Sequence, residues 1–550
     1  MKILNFNFQL SKFKWFGLAV IIIVAAALRL WQLGAVPSSP DWDEVALGYN
    51  AYSIIHTGRD EYSAFMPVVM RSYDDYKPAL YSYLSIPTIE TFGLSVFSVR
   101  LPSAIFGILT VIAVYFLVKD LFKKEEISLL ISGLLAISPW HIQFSRIAFE
   151  SNVGLAFNVF GALFFIKGLK RPWLLFFSIT SFVASAYVYQ SEKVFSPLLI
   201  IALAIIFRKQ LFKIPKKLIV SVILVGFVLS LPMLWYILTN KNALERAQGV
   251  SVFADQTILK EDAKRLLIDT KNHDVVGLVL DNRRLVYAKE IVANYLSHFD
   301  FNWLFISGDL ARHHAPNMGL MYLWELPFLL LGLYFLLFGD FSKETKLLIF
   351  SWFLITPIPA SVTTGVPHAV RALNFLPIYQ VFVGLGLLCA LRWIGKYGKY
   401  AKLSFVAIVF AISMFNFIYY IDQYFVQQSY YTAYDWQYGY AKAVPYIIQH
   451  ENDYQRIVVS NQPPLDQSYM FFLFYLKYDP ALYQSETKDA SGGFRENHSF
   501  GKFEFRPIGN EKESKTLYVG RPSDFGSDIK KLETIYYPSG EGAIVIATNK

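Results

Sequence analysis

Long apolar runs, separated by short polar and mostly basic stretches, make up the first 420 residues. Runs able to span roughly 30 Å of hydrocarbon fall near 14–31, 98–118, 126–143, 152–167, 172–189, 193–207, 217–238, 318–338, 346–362, 371–392 and 402–420. The basic stretches "KDLFKKEE", "KGLKRP", "RKQLFKIPKK", "DFSKETK" and "RWIGKYGKYAK" have the character of cytoplasmic loops. They all face one side only if 78–96 does not cross, and that segment carries Pro87 and Glu90. It is read as a helix at the outer interface. The pattern predicts a multi-pass α-helical protein of the inner or plasma membrane with about eleven spans, its N-terminus cytoplasmic and its C-terminus extracytoplasmic. "MKILNFNFQLSKFKWF" leads an uncleaved first span, because no small-residue cleavage site follows and Arg29 and Trp31 end the run.

Four segments then lie outside: 32–97, the turn at 138–152, the loop 239–317, and everything after 420. In 239–317, "QTILKEDAKRLLIDTKN" mixes charge with apolar positions and predicts one or two amphipathic helices on the membrane surface. The tail alternates the helical "YGYAKAVPYIIQH" with strand-like "RIVVSN", "KFEFRPI", "TLYVG" and "GAIVIAT". The chain is thereby divided into a transmembrane domain, 1–420, and an extracytoplasmic α/β domain, 421–550. "QSYMFFLFYLKYDPALYQ" reads as a core helix running into a loop, or alternatively as an acceptor-binding surface, and "ETKDASGGFRENHSFG" as a polar loop.

Composition agrees: 54% of residues are hydrophobic and mean hydropathy is +0.37, beyond an ordinary soluble protein. The net charge of +9 does not signal nucleic acid, since the basic residues sit in the short loops. Cys389 is the only cysteine, which excludes a disulfide framework and a Cys-based zinc site. No phosphate-binding or dinucleotide fingerprint is present.

Chemistry gathers on the outer face. In "PSSPDWDEVALGYNAYSIIHTGRDEY", Asp41 suits an N-cap and Glu44, three residues on, completes a capping box. Asp43 is left over, either as a first-turn acid favoured by the helix dipole or as a chemical group. Arg71, Asp74, Asp75 and Lys77 follow, then His141, Arg146 and Glu150, then Arg312, His313 and His314 in "ARHHAPN", and His368 and Arg371 in "TTGVPHAVRALNFLP". Such a mixture beside interfacial helices suits a charged headgroup whose tail remains in lipid.

"DWDEVALGYNAYSIIHTGRDEY", "YDDYKPALYSYL" and "FSVRLPSAIFG" resemble the opening of family 39-type glycosyltransferases, as "SRIAFESN", "RHHAPNMGLMYLWELPFLLLGLY" and "PHAVRALNFLPIY" resemble later blocks of its bacterial branch. These are GT-C fold membrane enzymes, among them protein O-mannosyltransferases and the lipid A aminoarabinose transferase. The resemblance implies sugar transfer from a polyprenyl-phosphate donor to a glycan, lipid or protein acceptor outside the cytoplasm. It places Asp43 at the proposed catalytic base, with Glu44 beside it as the second catalytic candidate. It places Lys77 at the lysine meeting the lipid phosphate and Glu150 where relatives have a second acid, often Asp. Arg371 falls in a block resembling the arginine-containing one near the donor. Arg71, Arg146, His313 and His314 complete the substrate-binding candidates by position.

The chemistry fits. A polyprenyl phosphate leaves readily if cations meet its developing charge, and an acceptor hydroxyl needs a carboxylate to take its proton. One base opposite the leaving group implies inversion. No obligatory cofactor is expected; the alternative is a divalent cation beside Asp43. Two other readings stay open: a polymerase or ligase of lipid-linked glycans, which needs outer arginines but not the acidic pair, and a transporter, which should carry charge at mid-bilayer.

Overall fold

The computed structural model describes residues 14–73, 75–240, 249–487, 496–527 and 529–549. The basic stretch 1–13, Asp74 and half of the polar loop 486–501 therefore lie outside the described residues. Each of the eleven apolar runs contains a helix, that of 318–338 beginning only at Glu325. Among the described residues, Val96–Phe122, Glu150–Gly168, Lys216–Thr239, Leu373–Gly395 and Lys399–Thr432 are long and apolar enough to cross a membrane singly. Trp15–Leu30, Leu174–Ala186 and Glu325–Phe338 are shorter apolar helices. The 126–143 run is bent by 60° between Glu125–Ala136 and Pro139–Ser145, where Pro139 has no N–H to continue the ladder. Close backbone approach holds the bundle: a Cβ on Gly332 would lie 1.7 Å from the Phe382 carbonyl oxygen, and one on Gly386 would lie 1.8 Å from that of Phe328. Only glycine lets these two helices pack so tightly.

Segment 78–96 forms a 13-residue helix, Leu80–Phe92, with Pro87 inside it, and is not among the apolar helices able to span. Just before it, β1 (Val69–Ser72) and β2 (Asp75–Pro78) form an antiparallel hairpin with Met70 opposite Lys77. Loop 239–317 supplies the surface helices Thr257–Asn272, Val275–Leu280 and Arg283–Ser297.

The last long helical run continues from Lys399 to Thr432, so the division at 420/421 falls within it. Beyond it a six-stranded sheet is built from β3 (Arg456–Val459), β4 (His498–Phe500), β5 (Phe503–Phe505), β6 (Thr516–Gly520), β7 (Lys530–Tyr536) and β8 (Gly542–Thr548). Its order is β4-β5-β3-β6-β8-β7, with β3 parallel to both β5 and β6 and the other pairs antiparallel. The four strand-like runs became β3, β5, β6 and β8. The helix Ser468–Leu476, buried from Ser468 to Phe474, covers the sheet.

This tail grips the first outer helix, Trp42–Thr57. The Gln484 amide donates to Ser53 Oγ at 3.0 Å and to the Asp60 carbonyl at 2.9 Å, and the Tyr49 hydroxyl donates to the Tyr478 carbonyl at 3.1 Å. Beneath the contact, Glu61 is buried; its N–H donates to Asn50 Oδ1 at 2.9 Å, and the Asn50 amide donates to its carboxyl at 3.2 Å. Burial pushes the Glu61 carboxyl up to about 8, against the Asn50 hydrogen bond and nearby Arg71. A raised folded value means that the group's stabilising contribution is fullest below its ordinary 4.5 and is lost as pH rises through about 8. Glu61→Gln should therefore match wild type in acid and melt about 2–4 °C higher in alkali. Parallel melting curves of the two proteins across pH would refute this.

Candidate active site

The Trp42–Thr57 helix begins with a complete capping box. Asp41 Oδ1 accepts the Glu44 N–H at 3.0 Å, and Glu44 Oε2 accepts the Asp41 N–H at 3.2 Å. Asp43 sits in the first turn, where the helix dipole favours its ionised form. It forms an ion pair with Lys77, whose side chain the β1–β2 hairpin presents from across the cavity wall. Burial works against the Lys77 charge, but Asp43 and Glu150 outweigh it and raise the lysine above its ordinary value. The lysine is therefore a cation at neutral pH.

Around this pair lies a cavity of about 170 Å³, lined among others by Trp42, Asp43, Lys77, Glu150, Tyr189, Gln190, Arg312, His313, His368 and Arg371. Glu150 starts its helix at the cavity edge. Arg371 reaches in from the loop before Ile378–Gly395, its guanidinium donating to Thr363 Oγ1 at 2.6 Å and to the Thr364 carbonyl at 2.8 Å. Arg312 donates to Asp41 Oδ2 at 2.7 Å and lies 4.4 Å over the Trp42 ring. A second, apolar cavity has a volume of about 470 Å³; Met66, Val68, Ala79, Leu80, Tyr83 and Leu229 are among its walls. The two share one piece of chain, since Lys77 and Pro78 face the polar cavity while Ala79 and Leu80 face the apolar one.

Of the sequence candidates, Asp43, Lys77, Glu150, His313 and Arg371 meet here, and four do not. Glu44 is turned into the protein as a structural ion. It receives Arg100 Nε and Nη2 at 2.8 Å each and the Ala148 N–H at 2.8 Å, with Arg100 fully buried. Glu44 is not part of the cavity lining. Arg146 is also buried, spent on the carbonyls of Leu28 at 2.9 Å and Val36 at 3.0 Å and on the Phe425 ring at 4.7 Å. Arg71 donates to the Tyr73 carbonyl at 3.1 Å and lies 4.6 Å over the Tyr62 ring, outside the cavity lining. The His314 ring nitrogens face the Asp309 and Ala315 carbonyls at 2.6 and 2.7 Å, also outside the lining. Its ring packs on Gly308, which has a φ of +69° and where a Cβ would meet Nδ1 at 2.5 Å.

Sequence reasoning missed Asp309, Tyr189 and Gln190. Gln190 donates to the Tyr76 carbonyl at 2.7 Å, bracing the strand that carries Lys77; the polar "YQSEK" between two apolar runs was its signal. Asp309 Oδ2 accepts the Ala369 N–H at 2.5 Å and lies 3.0 Å from His313 Nδ1. The i, i+4 spacing of Asp309 and His313 was its signal. Although burial alone would raise it, these contacts hold the Asp309 carboxyl below its ordinary value, while burial lowers His313 and His368.

The sequence model of the family described as dolichyl-phosphate-mannose-protein mannosyltransferase matches residues 76–236. No curated protein matches the chain. Among solved structures, ArnT from Cupriavidus metallidurans, apo and bound to undecaprenyl phosphate, is similar over 98% of both chains, with a TM-score of 0.53 and 10% and 11% identity. The archaeal oligosaccharyltransferase AglB from Archaeoglobus fulgidus, in complex with an inhibitory peptide and a dolichol-phosphate, is similar over 85% of this chain, with a TM-score of 0.51 and 12% identity. This chain covers 64% of that protein's length. The protein has the fold shared by these membrane proteins, the GT-C fold that the resemblance implied.

Proposed function

We propose that the protein is a membrane glycosyltransferase that moves a sugar from a polyprenyl-phosphate donor to an acceptor hydroxyl on the extracytoplasmic face. The observation that carries this is the segment 77–80, where Lys77 and Pro78 line a cationic polar cavity and the next two residues, Ala79 and Leu80, line an apolar one. That is the shape of a phosphate joined to a prenyl chain. The family match over 76–236 covers the same segment. A transporter finds less support, because the chemistry collects in one cavity at the loops.

In the reaction, Lys77 and Arg371 bind the donor phosphate. Phosphate entry takes Lys77 out of its pair with Asp43 and leaves the carboxylate to face the acceptor. The acceptor oxygen attacks the anomeric carbon as the bond from that carbon to the phosphate oxygen breaks. Its proton passes to Asp43, and the bonding pair leaves with the phosphate, whose charge the cations stabilise. A single displacement inverts the anomeric carbon. Glu150, across the cavity, contacts the sugar. The proposed topology places this cavity outside an inner or plasma membrane, with the N-terminus cytoplasmic and the sheet domain extracytoplasmic.

The test is acceptor-dependent release of polyprenyl phosphate from radiolabelled polyprenyl-phosphate sugars by the full chain in lipid. Lys77→Ala should weaken donor binding by about 10- to 100-fold, the loss of one charge-assisted hydrogen bond. Wild-type affinity in that variant would remove Lys77 from the phosphate site, whereas a substrate moved across the membrane without bond cleavage would favour the transporter.

A further inference from the structure

We infer that Asp309, His313 and His368 form a binding site for a transition-type divalent cation such as Zn²⁺, on the cavity wall formed by the 308–314 and 366–371 loops. One ring nitrogen from each histidine and one Asp309 carboxylate oxygen lie within 4.8 Å of one another. The Asp309 Oδ2 to His313 Nδ1 separation is 3.0 Å, and the two imidazole centroids are 5.1 Å apart. Zinc bonds of about 2.0–2.2 Å place tetrahedral ligand atoms roughly 3.3–3.5 Å apart, so modest rotation of the rings closes the site.

Two further observations point to a ligand. His368 Nδ1 is buried and has no hydrogen-bond partner among the described residues, a costly arrangement that a metal bond through this nitrogen would relieve. The carboxylate is also held in place by the Ala369 N–H at 2.5 Å, so it is oriented before any cation arrives. Two imidazoles and one carboxylate select zinc, cobalt or nickel over magnesium or calcium, which prefer oxygen ligands throughout. His313, His368 and Arg371 all line the cavity, so a fourth position is open to it. An oxygen ligand, water or a phosphate oxygen, fills that position. The cation also cross-links two loops already joined by the Ala369 N–H to Asp309 and by the His313–His368 ring contact. This site is separate from Asp43 and Lys77, and it rests on its ligands alone and not on the transfer reaction.

The experiment uses the full chain, with any affinity tag removed, stripped with chelator and titrated with Zn²⁺ and Co²⁺. One equivalent should bind, Co²⁺ should give the visible absorption of a nitrogen-ligated low-coordinate ion, and added inorganic phosphate should shift that spectrum. His368→Ala should weaken binding at least about tenfold, as should Asp309→Asn, while Asp43→Asn should bind normally. His368→Gln serves as a second variant if the alanine protein is not monodisperse. Failure to bind one equivalent, or undiminished binding in the monodisperse His368 and Asp309 variants, would overturn the site. A spectrum unmoved by phosphate would overturn the phosphate ligand and leave water in that position. Loss of binding in Asp43→Asn would overturn the separation of the two sites.

Discussion

Asp43→Asn should lower turnover by about 10²–10⁴-fold, the ordinary worth of a positioned general base, without weakening donor binding. The amide keeps the shape of the carboxylate and can still accept a hydrogen bond from Lys77, so the hairpin that carries the lysine keeps its place. It cannot take the acceptor's proton. The negative charge of Asp43 competes with the donor phosphate for Lys77, so its removal should leave donor affinity unchanged or tighter. Measuring kcat and donor Kd separately checks both halves. Turnover close to wild type would show that Asp43 is a first-turn acid paired with a lysine and nothing more. A fall in donor affinity would show that it binds and does not activate.

The helices and the outer-face chemistry were legible because both write themselves locally. Apolar runs and basic loops gave the eleven helical segments, and the spacing of Asp41 and Glu44 gave the capping box that the structure contains. What local pattern could not give was which charged groups would be consumed by long-range partners. Arg146 looks like a binding residue in "SRIAFES", yet its partners are the carbonyls of residues 28 and 36 and rings near 425. Arg71 was drawn to the nearby Tyr62 and Tyr73 instead of the cavity. Asp309 was overlooked for the converse reason, since His368 stands 59 residues away and only the fold brings it near. In the tail, β7 reads "KKLETIY", with charge on an edge strand obscuring its alternation.

The second large effect concerns Glu44, which the sequence placed in the capping box and also kept as the second catalytic candidate beside Asp43. Arg100 is fully buried and makes five hydrogen bonds: two to Glu44 at 2.8 Å and three to the carbonyls of Leu33, Pro37 and Ser39 at 2.8–3.2 Å. Glu44 also accepts the Ala148 N–H, so one carboxylate joins the first outer helix, the preceding loop and the turn before Glu150. Glu44→Ala leaves a buried guanidinium without its counter-charge and should cost about 3–5 kcal/mol, enough to lose most folded protein. Replacing both partners by apolar side chains is far less costly than orphaning one, so Glu44→Met with Arg100→Met should recover much of the yield that Glu44→Ala loses. Glu44→Gln keeps an acceptor for Ala148 and should give less protein with an unchanged kcat. Monodisperse yield and thermal melting measure the first effect, and turnover per folded molecule measures the second. A Glu44→Gln protein that melts like wild type but has lost its turnover would return Glu44 to the catalytic machinery, against the geometry of its ion pair.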